Sequence, residues 1–336
     1  ISWVCVLNQR MMKPCASGFL NLYKPKYALS SYCANAVKKS LSVSKIGHSG
    51  ILDSYAEGVL LLAIGKSTRL LPYLPQTKTY LSTFCFGMYS PSLDCGTPVQ
   101  ICDDSVDKVV TLERLRAAFS QFEGDFDQVV PLYSANKVHG RRMSDLAREG
   151  NPPTPRSKRI HIDSIEIQSF SPSLFPEVTI RVRCRSGTYI RSLCRDVAAS
   201  MGVGGVVTSL IRTECNGISM DSSHSLLEVQ SGENCVLDDL DVMRFLPLCF
   251  LRHVDRRFES TSQICCNEGD VCLMKDWIPD SLRSKEKSGI VVSCPSIPTP
   301  VILMSETSFQ SYGIGCVTQS GIHSFQILLQ KRFQFL

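Results

Sequence analysis

The feature of this sequence that most constrains its fold is a pair of segments in which apolar and polar residues alternate. The clearer segment places apolar residues at every second position, namely Val178, Ile180, Val182 and Cys184. Because successive side chains of a strand point to opposite faces of a sheet, this period predicts a strand with one face in the core. The earlier segment, 160–167, shows the same period with one slip and predicts a second strand.

Other strands and helices are predicted from shorter patterns along the chain. Two strands are expected at Phe19–Tyr23 and Thr79–Met88, where aromatic and apolar residues are bounded by polar or turn-forming ones. A helix is expected from a cap at Ser30 or Ser31 to about Leu41, and another at Thr111–Phe122 with Gly124 as its C-cap.

A further helix is predicted directly after Gly187. Its apolar stripe runs from Ile190 to Met201 and leaves Arg191 and Arg195 off the main core face. Helices therefore lie between strands without a regular β-α-β order, which favours an α+β fold built on a mixed sheet.

The chain is long enough for more than one domain. Its 336 residues exceed the usual size of one domain, and after Phe245 short β-like pieces are separated by Gly, Pro and Ser. We expect a catalytic domain over 17–244 with an insertion at about 125–160, and a small β-rich domain over 245–336. Residues 1–16 are expected to be a disordered or artefactual N-terminus, and the proline-rich run 151–155 predicts an exposed excursion. The β-like pieces are Val271–Met274, Gly289–Ser293, Val301–Met304 and Ser324–Leu329.

Composition excludes several classes of protein. The 16 cysteines are dispersed, with no CxxC pair and no Cys/His cluster at zinc-ligand spacing, so no metal site and no disulfide framework is predicted. No apolar run approaches the roughly 20 residues that span a bilayer, which predicts a soluble, cytoplasmic protein. The net charge of +5 permits nucleic-acid binding, and basic residues concentrate between Lys137 and Arg195.

The most informative stretch for function is 45–60, in which an aspartate lies between glycines. Gly47 and Gly50 precede Asp53, and an apolar run follows Gly58. Such glycines allow tight turns and can hold Asp53 at the start of a rigid element. From the residues alone, however, an aspartate in a glycine-rich loop is more often a turn or capping residue than a catalytic one.

This run resembles the motif of the TruB family of RNA pseudouridine synthases, Gly-His-x-Gly-x-Leu-Asp-Pro-x-Ala-x-Gly. Further blocks similar to those of the family occur in the same order and cover about 18–220. They are Leu22–Pro25, Lys78–Tyr80, Gly87–Asp94, Pro131–Lys137 with Gly140, Gly187–Arg191 and Leu210–Thr213.

The resemblance implies a mixed, mainly antiparallel catalytic core and a cofactor-free isomerisation of uridine to pseudouridine. The expected substrate is the T arm of tRNA, at position 55, with no obligate protein partner. Asp53 would be the essential carboxylate, which must be ionised to act as a nucleophile or base, and Arg191 would be its paired cation. The small C-terminal domain is only faintly similar to PUA-like RNA-binding barrels.

The resemblance also implies how the RNA would be held. The target uridine must leave its stack and enter a pocket, where Tyr80 would stack on the base and Leu210 and Tyr189 would line the walls. His48 would contact the RNA or fill the space that the flipped base leaves. Phosphates would be bound by Lys24, Lys137, Arg141 and Arg142.

Three positions depart from the family pattern, and two other functions stay open. Ser54 replaces the usual proline, Glu57 the usual threonine, and Leu81 a common polar or basic residue. We expect Glu57 to point away from Asp53, towards Lys66 or Arg69, because two adjacent carboxylates would raise the pKa of one. The alternatives are a catalytically silent tRNA-binding or RNA-folding protein and a guide-RNA-dependent relative in the same superfamily.

Overall fold

The structure is a computed structural model that describes residues 17–102, 106–154, 156–232 and 235–237, together with the backbone of six strands between 248 and 332. The chain forms two compact units, Ile1–Val236 and Leu237–Leu336. The predicted disordered or artefactual segment 1–16 and the predicted boundary near 245 lie outside the described residues.

The first unit contains most of the described strands and all of the described helices. Its strands are β1 (Ser17–Lys24), β2 (Ile46–His48), β3 (Glu57–Gly65), β4 (Thr77–Phe86), β5 (Met88–Tyr89), β6 (Gln100–Ile101), β7 (Gly124–Val129), β8 (Lys137–Val138), β9 (Arg141–Arg142), β10 (Ser157–Ser171), β11 (Glu177–Arg185), β12 (Gly205–Cys215) and β13 (Ile218–Ser219). A short strand, β14 (Val236–Leu237), follows. Its helices are α1 (Ser30–Ser40), α2 (Leu112–Phe119), α3 (Met143–Arg148), α4 (Ile190–Ser200) and α5 (Leu226–Ser231). Short 3-10 turns lie at Lys66–Arg69, Leu71–Tyr73, Val106–Lys108, Ser120–Phe122 and Met220–Ser222.

One large sheet organises this unit, with strands in the order β1-β3-β12-β4-β11-β10-β7. Its neighbouring strands run antiparallel except for β12 and β3, which are parallel and bring Ile211 opposite Glu57. The predicted α+β class with a mixed, mainly antiparallel sheet is confirmed.

The alternating segments form neighbouring strands, as their period predicts. Every apolar residue of the pattern that begins at Val178 is buried, and the slip in the earlier segment is a register irregularity between Ile162 and Ser164. A single extra residue changes which face the following side chains occupy, so a bulge at this point restores the apolar face.

Two of the predicted helix caps are wrong. The residue before α1 is Leu29, which makes no side-chain cap, and the Ser30 hydroxyl instead binds the main chain of Leu52. The helix α2 is capped by Thr111, but it ends at Phe119 and continues as a 3-10 turn, so Gly124 begins β7 rather than ending the helix.

The core contains two clusters in which helices pack against the large sheet. One cluster packs α2 and α4 against β4, β10, β11 and β12, and it includes Leu52, Tyr80 and Leu210. A second cluster packs α1 and α5 against β1 and β3. Leu52, in the loop between β2 and β3, packs in the first cluster, so it links the loop that contains Asp53 to the core.

The second unit contains a sheet of its own, as the β-like pieces predict. Its strands are β15 (Leu248–Leu251), β16 (Gln263–Asn267), β17 (Val271–Met274), β18 (Thr299–Ser305), β19 (Ser311–Gly321) and β20 (Ser324–Arg332), in the order β16-β20-β19-β18-β15-β17. The predicted strand at Gly289–Ser293 lies outside the described residues. Among the described residues, no helix is long and apolar enough to cross a membrane.

Candidate active site

The loop 49–56 carries Asp53, and main-chain hydrogen bonds hold it at several points. The Ser30 hydroxyl donates to the Leu52 carbonyl at 2.8 Å and accepts from the Leu52 N–H at 3.0 Å. The Tyr27 N–H donates to the Ser54 carbonyl at 2.6 Å, on the other side of Asp53. Because both neighbours of Asp53 are bound to residues between the end of β1 and the first turn of α1, the carboxylate projects from a fixed main chain.

Arg212 anchors the same loop from below. Its side chain is fully buried, with Nε donating to the Val59 carbonyl at 2.7 Å and Nη2 to the Gly50 carbonyl at 3.1 Å. At Gly58, where φ is +102°, a Cβ would lie 2.3 Å from the Arg212 carbonyl oxygen. Only glycine therefore allows β3 and β12 to approach so closely, and this approach places Arg212 under the loop.

Arg191 forms an ion pair with Asp53, with 2.8 Å between Nε and Oδ2. Its other two nitrogens donate to main-chain carbonyls, Nη1 to Ser92 at 2.6 Å and Nη2 to Tyr133 at 2.9 Å. Arg191 is 2% exposed, whereas the Asp53 side chain is 36% exposed. The cation is thus held by the protein, and the carboxylate faces solvent.

The burial of Arg191 differs from what the helical pattern predicts. Its side chain leaves the apolar stripe of α4, yet it is buried against Asp53 and the two carbonyls. It donates one short hydrogen bond to Asp53, through Nε, because both terminal nitrogens donate to the carbonyls of Ser92 and Tyr133.

A second carboxylate, Asp94, lies beside the same guanidinium. Its Oδ2 is 3.6 Å from Arg191 Nε, while its Oδ1 accepts from the Ser92 hydroxyl at 2.6 Å and the Gly96 N–H at 2.9 Å. Asp94 is buried, so it compensates the buried charge of Arg191 and fixes the Ser92 segment. Asp94 was not predicted as a site residue, although it ends the block Gly87–Asp94 that resembles the family pattern.

Lys24 is buried, which corrects the expectation that it meets phosphate. Its ammonium donates to the carbonyls of Ala28 at 2.7 Å, Pro25 at 2.9 Å and Ser54 at 3.3 Å. Burial lowers its pKa from 10.5 to about 8. Lys24 therefore joins the Asp53 loop to the turn after β1 and offers no exposed ammonium to RNA.

Glu57 binds Tyr23 and neither of its predicted partners. The Tyr23 hydroxyl donates to Glu57 Oε2 at 2.7 Å, and burial together with this hydrogen bond raises the pKa of Tyr23 to about 12. The prediction that Glu57 turns towards Lys66 or Arg69 is wrong, because the pairing of β1 with β3 brings Tyr23 within reach first.

Tyr80 and Leu210 lie on adjacent strands in the cluster that includes Leu52. Tyr80 is opposite Arg212 in the register of β4 and β12, and burial raises the pKa of its hydroxyl. Both residues are buried, with only small parts of their side chains exposed. The fold thus brings Tyr80 and Leu210, the two residues predicted to contact the base, into the same cluster as Leu52, which precedes Asp53.

Tyr189 is half-buried at the N-terminus of α4, two residues before Arg191. Its N–H donates to Gln128 Oε1 at 2.8 Å, and Gln128 Nε2 returns a hydrogen bond to the Tyr189 carbonyl at 3.1 Å. Burial raises the pKa of the Tyr189 hydroxyl, and the nearby Asp53 charge raises it further. Gln128, which fixes this backbone, carries no signal in the sequence that would have identified it.

His48 lies in β2, at the start of the Asp53 loop. Its Nδ1 is buried and has no hydrogen-bond partner among the described residues, and burial followed by the charge of Arg212 lowers its pKa. Both effects favour the neutral imidazole. His48 therefore lies next to the Asp53 loop, and its surroundings favour the uncharged form.

The remaining predicted phosphate contacts lie on a hairpin formed by β8 and β9. Lys137 and Arg142 are exposed and face each other in its register. Arg141 is also exposed, but its Nη2 pairs with Glu149 at 2.5 Å, so part of its charge is compensated.

Together these residues form a half-open site with one exposed carboxylate and several buried cations behind it. Such an arrangement keeps Asp53 oriented for attack on, or proton removal from, a ligand that enters from solvent. The positioning groups Arg212, Asp94 and Gln128 were not predicted as site residues, since each acts through contacts between distant segments that only the fold creates.

Comparison with known sequences assigns the same region to one family. The pattern that defines the N-terminal domain of TruB family pseudouridylate synthases matches residues 38–190. A protein named tRNA pseudouridine synthase B from Gloeothece citriformis is 37% identical over 218 residues, which are 65% of this chain and 70% of that protein. A protein of the same name from a Synechococcus strain is 38% identical over 74% of this chain and 83% of its own length.

Solved structures with the same fold are more distant in sequence. The crystal structure of a Cbf5-Nop10-Gar1 complex contains a chain that matches with a TM-score of 0.65 and 20% identity, over 94% of this chain and 85% of that one. The archaeal box H/ACA sRNP Nop10-Cbf5 complex matches with a TM-score of 0.64 and 18% identity, over 96% and 87%. At these identities the likeness concerns the fold alone.

Proposed function

This chain belongs to the TruB family of pseudouridylate synthases and is an isomerase, and from that premise we propose that it converts uridine to pseudouridine at position 55, in the T arm of tRNA, through Asp53. Its relatives at 37–38% identity are named for action on tRNA. The substrate RNA, the site on it and the role of Asp53 are parts of the proposal.

The ion pair between Asp53 and Arg191 is the observation that carries the proposal. A buried arginine with three fixed acceptors is preorganised, so it holds the carboxylate without movement when substrate binds. The exposed part of Asp53 is then free to meet the nucleotide. A purely structural ion pair would not require a half-exposed carboxylate at the end of a loop held at both neighbouring residues.

The proposed isomerisation requires few protein groups besides the Asp53 carboxylate. In the isomerisation the glycosidic bond from C1′ to N1 breaks, the base turns, and a bond from C1′ to C5 forms. The C5 proton is lost and N1 gains one, so the atoms balance without an oxidant, a reductant or a cofactor. Asp53 would act on the base or the sugar of a nucleotide that has left its stack.

The neighbourhood of Asp53 is suited to a flipped base. Tyr80 and Leu210 share a hydrophobic cluster with Leu52, the residue that precedes Asp53. Tyr189, the N-cap residue of α4, is close enough for the Asp53 charge to raise the pKa of its hydroxyl. The hairpin cations Lys137 and Arg142 would contact the RNA backbone outside the pocket, which contributes affinity that falls with salt.

Mapping of the product tests the proposal. Unmodified tRNA is incubated with the purified protein and then treated with a carbodiimide that labels pseudouridine, and the labelled position is located by mass spectrometry of nuclease fragments. We expect one pseudouridine, in the T arm at position 55. Product only at another position would contradict the T-arm assignment, and no product in any tRNA would contradict the proposed function.

The role of Asp53 is tested in the same assay by Asp53→Asn. We expect this variant to lose pseudouridine formation while its tRNA affinity stays nearly unchanged, because the carboxylate acts on the reacting nucleotide and not on the backbone. The matched control is Asp107→Asn, which makes the same change at an exposed residue of a 3-10 turn. Turnover by Asp53→Asn near the wild-type rate would contradict the assignment.

A further inference from the structure

An exposed patch lies beside the loop that carries Asp53. It consists of exposed Tyr27, Leu29 and Ile51 together with partly buried Lys26, which we call the rim patch. Tyr27 is 72% exposed, Leu29 58% and Ile51 54%. Exposed apolar groups this close together are uncommon on a surface that contacts only water.

The rim patch is joined to the catalytic loop at two points. The Tyr27 N–H binds the carbonyl of Ser54, the residue after Asp53, and Ser30 binds both main-chain groups of Leu52, the residue before it. Main-chain hydrogen bonds therefore connect the rim patch and its neighbour Ser30 to the residues on either side of Asp53, so a ligand at Asp53 lies close to these side chains.

Tyr27 adopts a backbone conformation that costs free energy for its residue type. Its φ is +68°, in the left-handed region that favours glycine. Backbone strain of this kind at an exposed aromatic residue, next to the Asp53 loop, indicates that the ring has a function such as ligand binding. The ring packs edge-on against buried Tyr55, with 5.9 Å between centroids, which fixes its orientation.

Lys26 adds a positive charge to this aromatic pair. Its ammonium lies 4.2 Å from the centre of the Tyr55 ring and 5.6 Å from that of Tyr27, and it forms no ion pair with a described residue. A cation beside an exposed aromatic face is the arrangement by which proteins bind unpaired nucleotides, since the ring stacks on a base and the cation meets a phosphate.

We propose that Tyr27 and Lys26 bind a nucleotide adjacent to the target uridine, with its base stacked on the Tyr27 ring and its phosphate paired with Lys26. The inference rests on the proposed function, because it takes the ligand at Asp53 to be an RNA loop. Once the target base has left the stack, its neighbour loses one stacking partner, and Tyr27 replaces that partner.

The test measures binding, so it does not depend on turnover. A T-arm stem-loop with 2-aminopurine at one or the other nucleotide flanking the target is titrated with wild type and with Tyr27→Gly. We expect wild type to quench one of the two probes, and Tyr27→Gly to lose that quenching and bind about 5- to 150-fold more weakly, the range for one lost base stack. Tyr27→Gly also removes the strained φ, so it should melt at or above the wild-type temperature, which excludes misfolding as the cause.

Matched variants separate the ring from other effects. Tyr27→Phe keeps the stacking face and should bind within about twofold of wild type. Tyr32→Ala removes another exposed aromatic ring, on α1 in a cleft with Lys39 and Gln230, and should leave both probes unchanged. Lys26→Gln should lower the slope of log affinity against log salt by about 0.7 to 0.9, as for one lost phosphate contact.

Unchanged affinity and quenching in Tyr27→Gly would overturn the inference, as would an effect of that variant on self-association with RNA binding intact. Absence of pseudouridine after incubation with wild type would count against the proposed function and not against this binding result.

Discussion

Arg191 Nε lies 2.8 Å from Asp53 Oδ2, and the two terminal nitrogens of the same guanidinium are bound to the carbonyls of Ser92 and Tyr133. One side chain thus connects three segments of the chain that are far apart in sequence. Since these acceptors lie in three directions, the planar guanidinium is the feature that the site requires, more than its charge.

The first prediction follows from this geometry. Arg191→Lys should reduce the single-turnover rate on T-arm RNA at least 100-fold, because a lysine ammonium cannot reach Asp53 while it satisfies both carbonyls. The matched control is Arg195→Lys, one turn further along α4, where the side chain is partly exposed and pairs with Asp196. A wild-type rate in Arg191→Lys would mean that the pairing with Asp53 has no part in catalysis.

The second prediction concerns Tyr80, whose hydroxyl lies beside the buried Arg212. Tyr80→Phe should keep the RNA affinity of wild type, because the ring is unchanged. Any large loss of rate must then come from the hydroxyl, as a hydrogen-bond partner of Arg212 or as a proton carrier. Affinity and single-turnover rate measured on the same RNA separate the two effects, and a loss of affinity alone would contradict the prediction.

The third prediction concerns Glu57, which replaces the usual threonine of the motif. Because its carboxylate binds the Tyr23 hydroxyl, Glu57→Thr should leave the rate at neutral pH within about threefold of wild type. Glu57→Gln should lower the pKa of Tyr23 from about 12 towards its ordinary value, since a neutral acceptor removes the repulsion of tyrosinate. Difference absorbance of tyrosinate against pH measures this shift. A large gain of rate in Glu57→Thr would show that Glu57 acts on Asp53.

The sequence predicts the parts of this protein that depend on local patterns. The strand from Val178 to Cys184 follows from its period, because alternation is a property of neighbouring residues. The pairing of Asp53 with Arg191 was expected only from the family resemblance, since the two residues lie on different elements.

The errors have a common physical cause. Lys24 is basic and close to a motif, so the sequence suggests an exposed cation, yet three carbonyls from the turn after β1 and from the Asp53 loop enclose it. Likewise, the partner of Glu57 depends on which strand lies next to β3, and no local pattern specifies that. Groups that bind main-chain carbonyls of distant segments are recognisable only after the fold is known.

Lys24 provides the last prediction, which concerns pH. Burial lowers its pKa to about 8 in the folded protein, against 10.5 for an ordinary lysine. Between these two values the unfolded chain binds a proton that the folded chain does not, so the free energy of unfolding contributed by Lys24 rises with pH. Below pH 8 the Lys24 ammonium is charged in the folded protein as well, and its burial then lowers the free energy of unfolding by the full amount.

Stability and activity should therefore respond to pH in opposite directions. Relative to Lys24→Met, wild type should gain about 2 kcal/mol in the free energy of unfolding between pH 7 and pH 9.5, measured with urea. Over the same range its catalytic rate should fall, because a neutral amine has two hydrogens for three carbonyls and releases one contact to the Asp53 loop. Lys24→Arg stays charged, so on the same RNA its rate should lack this fall near pH 8. A rate profile of Lys24→Arg that matches wild type would contradict the role of Lys24 in holding Asp53.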